Sequence, residues 1–167
     1  MHRLFPSLTA ARAVAFALTL FALAIGPADA QSVPVRGQTL YLPVYSHIWH
    51  GEVDGKGQPA KVLVSVLVSV RNTDPAAAIT LTAAQYFDTE GKRIKEYLAA
   101  PRVIPPLGTY ELYVPTSDDS GGSGANFILR WKAANGASPP IVEALHANLP
   151  AGRAIVFLTS ARVVASE

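Results

Sequence analysis

Chemistry in this 167-residue chain would have to come from three small groups of side chains. The first is the loop Ser117 to Asn126, where Asp118 and Asp119 precede Ser120, Gly121, Gly122, Ser123 and Gly124. Adjacent carboxylates can hold a hard cation such as Ca²⁺, and glycines let a backbone approach a ligand closely. The spacing is not that of an EF-hand, and Ser123 lies outside any Gly-x-Ser-x-Gly nucleophile pattern. A strand connection whose glycines take positive φ and whose Asp and Ser side chains cap the turn accounts for the same residues. Ligand or partner binding through Asp118, Asp119, Ser120, Gly121, Gly122, Ser123 and Asn126 is the chemistry they would add. The second group is His47 and His50, with Asp54 and His146 as additions. Imidazole is the usual ligand for zinc or copper where thiolates are lacking. Residues three apart on a strand point to opposite faces, so His47 and His50 share a metal only if the chain bends near Trp49–Gly51. The third group is Tyr41, Tyr45 and Trp49, expected on one face of an edge strand, where they form an aromatic strip for a sugar or peptide or pack half-buried against a loop.

No acid–base pair stands out. Asp88 with Glu90, and Asp118 with Asp119, sit in turns where solvation keeps carboxylates ionised. The sequence has no cysteine, which excludes thiol catalysis, disulfide staples and thiolate metal sites together. A non-enzymatic protein without a resident cofactor is expected, with a divalent metal on His47, His50 and His146 as the alternative.

The elements that position these groups follow a leader. Arg3 and Arg12 open the chain, Ala13 to Ile25 is apolar and uncharged, and Gly26-Pro27 breaks the run before Ala28-Asp29-Ala30. That layout is a secretory signal peptide over residues 1–30, cut before Gln31. The apolar run is too short to span a bilayer as a helix. Residues 31–37 are expected as a flexible segment and residues 38–167 as one domain, periplasmic or secreted, with no membrane span once the leader is removed. The formal net charge is +2 at pH 7, and two of the arginines belong to the leader. The remaining cations are scattered, which excludes the concentrated basic face that nucleic acid requires.

Within the domain, short β-like runs alternate with turn chemistry. Thr39 to Trp49 reads as one strand, with Pro43 marking a sheet edge or a bulge. Gly51 to Pro59 reads as a loop. Lys61 to Asn72 is the strongest strand, with Val62, Val64, Val66, Val68 and Val70 on one face and Leu63, Ser65, Leu67 and Ser69 on the other. Ile79 to Phe87 alternates Ile79, Leu81, Ala83 and Phe87 against Thr80, Thr82 and Tyr86. It joins Ile94–Leu98 through a turn with a left-handed Gly91. Strands follow at Tyr110–Val114, Phe127–Lys132 and Ala154–Val164, with Ile141–Leu149 readable as strand or helix. The sum is an all-β, immunoglobulin-like antiparallel β-sandwich of 7 to 8 strands, with a small closed barrel as the alternative.

Two blocks carry a resemblance. One is Leu67–Asp74 with Ile79–Thr80–Leu81, Tyr86–Phe87–Asp88–Thr89 and Gly91–Lys92. The other is Asp118–Phe127 with Trp131. With Tyr41, Pro43–His47 and Pro139–Glu143, they resemble the DUF3124 family of exported bacterial domains of unknown function, over most of residues 38–163. The resemblance implies an exported bacterial protein and no particular activity. The strand-ending Arg71-Asn72-Thr73 is similar to that of immunoglobulin-like assembly domains in envelope proteins, a likeness of fold alone. Binding or assembly with an envelope protein, or capture of a small ligand, is the function expected.

Overall fold

Alternating valines decide which side of the chain is dry. In the computed structural model, which describes residues 33–166, Val64, Val66, Val68 and Val70 are all fully buried. The leader expected over residues 1–30 lies outside the described residues. Twelve strands run through the rest: β1 (Val35–Pro43), β2 (His47–Val53), β3 (Pro59–Leu63), β4 (Ser65–Arg71), β5 (Ile79–Phe87) and β6 (Arg93–Glu96) come first. They are followed by β7 (Arg102–Ile104), β8 (Thr109–Val114), β9 (Asn126–Ala137), β10 (Ile141–Asn148), β11 (Ile155–Ser160) and β12 (Arg162–Ser166).

These strands form three antiparallel sheets and no closed barrel. One is six-stranded, in the order β12-β1-β9-β5-β6 with β7 also paired to β5; a second is four-stranded, β11-β10-β4-β8; the third is the two-stranded ribbon β2-β3. The two large sheets share one core. Leu40, Leu42, Leu81, Tyr86, Phe127, Leu129 and Trp131 come from the first, and Val66, Val68, Val70, Leu112, Val114, Val142 and Ala144 from the second. Each fully buried valine or leucine contributes about 1.5–3 kcal/mol relative to an exposed one.

The count exceeds the expected 7 to 8 because three long runs break and change sheet, and because Arg102–Ile104, outside every expected strand, pairs with β5 as β7. Thr39–Trp49 divides at Val44–Ser46 into β1 in the large sheet and β2 in the ribbon. Lys61–Asn72 divides at Val64, whose N–H donates to Ser46 O, into ribbon strand β3 and central strand β4. Ala154–Val164 divides at Ala161, whose N–H donates to Val142 O, so β11 ends one sheet and β12 the other. The Gly51–Pro59 loop shrinks to a tight turn inside the ribbon, where Asp54 accepts from Lys56 N–H and Gln58 N–H. Ile141–Leu149 is strand β10. The flexible segment expected over 31–37 overlaps β1, which begins at Val35.

One face assignment is corrected. The register between β5 and β9 shifts between Leu81 and Ala83, and that bulge reverses the alternation beyond it. Ala84 and Tyr86 therefore point inward in place of Ala83 and Phe87. The Asp88–Lys92 turn forms as expected: Gly91 has φ 78°, and Asp88 Oδ1 accepts from Glu90 N–H and Lys92 N–H. At the far end of β4, buried Asn72 donates through Nδ2 to the carbonyls of Ala77, Ile104 and Pro105 and accepts from Asp74 N–H. One side chain thus ties three segments together where the strand stops.

Candidate functional site

The glycine loop and the start of the ribbon meet at one end of the domain. His47 Nδ1 lies 2.6 Å from Asp119 Oδ1, and Lys61 Nζ donates to Asp119 Oδ2. Asp119 is held below the usual carboxylate range, first by the Lys61 hydrogen bond and then by His47. An ionised carboxylate only accepts, so His47 carries its proton on Nδ1. Cross-strand pairing explains why Lys61 is there. It sits opposite Trp49, two residues along the strand from His47, so imidazole, indole and ammonium occupy one face of the ribbon. Trp49 packs edge-on to His47 with centroids 5.0 Å apart and keeps 46% of its surface exposed.

The loop is bolted on both sides. Ser46 N–H donates to Gly122 O and Val44 N–H to Ala125 O, while Thr89 N–H and Thr89 Oγ1 both donate to Gly121 O. Gly124 N–H returns a bond to Thr89 Oγ1. Beneath it, Ser46 Oγ and the buried Tyr86 hydroxyl are 2.8 Å apart, and burial raises the pKa of that phenol. A Cβ on Gly121 would stand 1.9 Å from the Tyr86 hydroxyl, and one on Gly122, at φ 76°, would stand 2.4 Å from Thr89 Oγ1. These glycines are required for close approach to neighbouring side chains. Asp118 faces its own loop, accepting from Ser120 N–H and Ser120 Oγ. Ser123 is half-buried in the single 3₁₀ turn of the loop, and Asn126 begins β9 between Pro43 and Phe87. Tyr97 stacks edge-on with Tyr86 and Phe127 nearby, and its hydroxyl is pushed up to about 12, first by burial and then by the Asp118 charge.

The other expected residues are scattered. His50 is exposed on the ribbon opposite Ala60, at a position of opposite parity to His47 and Trp49. His146 is fully buried on β10, stacked on Phe157 at 4.4 Å, and its Nε2 accepts from Tyr45 N–H at 3.1 Å. Burial drives its pKa down to about 4. Among the described residues no three His, Asp or Glu side chains gather as a metal-ligand set. The three aromatic residues do not form one strip, because the chain turns between them. Tyr41 is on β1, opposite Ile128 and Arg162; Tyr45 packs edge-on against His146 and Phe157; Trp49 stands on the ribbon. Lys61, Ser46, Tyr86 and Thr89 join the site from outside the sequence candidates: Lys61 heads the valine run, and Ser46, Tyr86 and Thr89 lie within the blocks that carry the family resemblance.

A model of the family described as Protein of unknown function (DUF3124) matches residues 37–164. No curated protein matches the chain. The crystal structure of Thermotoga maritima 1070 is similar at 9% sequence identity and a TM-score of 0.43, covering 80% of this chain and 98% of that one.

Proposed function

The chain belongs to the DUF3124 family, and we propose that it acts as an exported, non-catalytic binding module of the bacterial envelope, gripping its partner with the end formed by Trp49, His47, Lys61 and Asp119. The observation that carries this reading is the convergence of the ribbon and the glycine loop on Asp119. A half-exposed tryptophan stands over a fixed imidazole beside a lysine, and aromatic anchors with a charged rim are the usual makings of a recognition surface. The loop's glycines are taken up by packing against Tyr86 and Thr89, which leaves no flexible phosphate cradle there. The two large sheets share one core and the Ala161 break hands the chain from one to the other, which supports an immunoglobulin-like sandwich. The leader motif in residues 1–30 supports export.

Photo-crosslinking in the native host tests the proposal. A photoreactive residue at Trp49 or Lys61 is expected to give a discrete adduct, whereas one at Arg153 gives none. Adducts of equal yield at all three positions, or none at Trp49, contradict it. N-terminal sequencing of the exported chain is expected to begin at Gln31.

A metal-handling reading keeps one support. An Asp119-bound Nδ1 leaves His47 Nε2 as the remaining ring nitrogen, the second-sphere pattern that tunes metal-ligating histidines. Untagged, dialysed protein carrying less than about 0.1 metal per chain at neutral pH rejects it.

A further inference from the structure

The four-stranded sheet turns its valines inward and leaves a patterned outer face. Across it, Tyr113 pairs with Leu67, Leu67 with Leu145, and Leu145 with Leu158, an unbroken apolar row over all four strands. Tyr113 keeps 56% and Leu158 60% of their surface exposed. One pleat along, the row reads Glu111, Ser69, Glu143 and Ser160, and beyond it Arg71 stands between Thr109 and Ile141. A cavity of about 270 Å³ opens where the leucine row meets the glutamate row, bounded by Glu111, Glu143 and Arg71.

We propose that this face docks an extended segment of a partner protein in which an aliphatic residue is followed two positions later by Lys or Arg. The aliphatic side chain lies on the leucine row, and the basic one enters the cavity between Glu111 and Glu143. The spacing supports an extended occupant. Side chains on one face of a strand repeat every second residue, about 6.6–6.8 Å, which is also the distance between the two rows. The cavity is smaller than the roughly 300–1,000 Å³ of drug-sized ligand sites and suits a single side chain. Charge supports a basic occupant, because two carboxylates face one guanidinium there, and Glu111 is oriented by Ser69 Oγ at 3.4 Å.

Amide shifts of ¹⁵N-labelled protein titrated with acetyl-Val-Thr-Arg-Thr-Val-amide test the assignment, with the Glu-for-Arg peptide as control. The arginine peptide is expected to shift amides of β4, β8 and β10 and to lose about tenfold in affinity in the Glu111→Gln/Glu143→Gln variant. Binding is expected to be unchanged in Trp49→Ala, which separates this face from the ribbon end. Gln is close in shape to Glu at these positions, and an unchanged melting curve confirms that the variant is folded. Equal binding of both peptides, absence of binding at millimolar peptide, or an unweakened double variant overturns the proposal. A concentration-dependent dimer abolished by Leu158→Glu overturns it in favour of self-association.

Discussion

Strands β3 and β4 are separated by the single residue Val64, yet they belong to different physical regimes. In β4, Val66, Val68 and Val70 are buried under the opposing sheet, flanked by β8 and β10 on either edge. In β3, every residue is exposed or half-buried, and the ribbon it forms with β2 has no further strand. An isolated two-stranded ribbon is marginal in water, so this one depends on its polar fastenings. Those are Asp119 to His47 and Lys61, Asn148 Nδ2 to Leu63 O, and Val64 N–H to Ser46 O. The difference shows how one chain builds a stable body and, within a residue of it, a surface whose position is set by a few replaceable bonds.

Acid should separate the two regions most. The folded pKa of His146, about 4, lies below its ordinary 6.5, so the unfolded chain takes up the proton first. The contribution of His146 is then complete above pH 6.5 and is lost between pH 6.5 and 4, by about 3 kcal/mol in all. Asp74, held at about 2 by the N–H groups of Ser138, Ala77 and Ala76, extends the loss below pH 4 towards pH 2. Denaturant midpoints measured against pH check this, and His146→Gln should flatten the upper part of the slope. Next in size, Val68→Ala is expected to lower global stability by about 2–3 kcal/mol through lost burial and a cavity, without changing the ribbon's own opening. Gly121→Ala forces a Cβ against the Tyr86 hydroxyl and should cost about 1–3 kcal/mol, shifting the chemical shifts of Ser46 and His47 as the loop lifts. Smallest on the global scale is Asp119→Asn. It should move the melt by less than about 1 kcal/mol, because the Lys61 pair is half-exposed, while the ribbon's opening loses its dependence on salt.

What could be read from the sequence follows the same division. The valine alternation of β4, the Gly91 turn and the Asn72 strand end were legible because their causes are local. The breaks at Val64 and Ala161 were not, since no glycine or proline marks them and each is made by a hydrogen bond to a distant segment, Ser46 in the β1–β2 break and Val142 on β10. The β5 bulge was hidden for the same reason, and it exchanged Phe87 for Tyr86 on the core side. At the candidate site, His47 and Asp119 each attracted notice, but their pairing spans 72 residues of sequence. Lys61 joins them only through its register with Trp49. Composition reveals which residues could act; pairing decides which of them meet.

Native-state hydrogen exchange reads this contrast directly, comparing amides of the ribbon pairs His47–Leu63 and Trp49–Lys61 with those of Val66 and Val70. The account predicts that the β4 amides exchange only through global unfolding. The ribbon amides should open at a lower free energy that falls further in Asp119→Asn while β4 stays unchanged. Ribbon and β4 amides exchanging with one common free energy, unaltered by Asp119→Asn, would contradict a separately fastened ribbon.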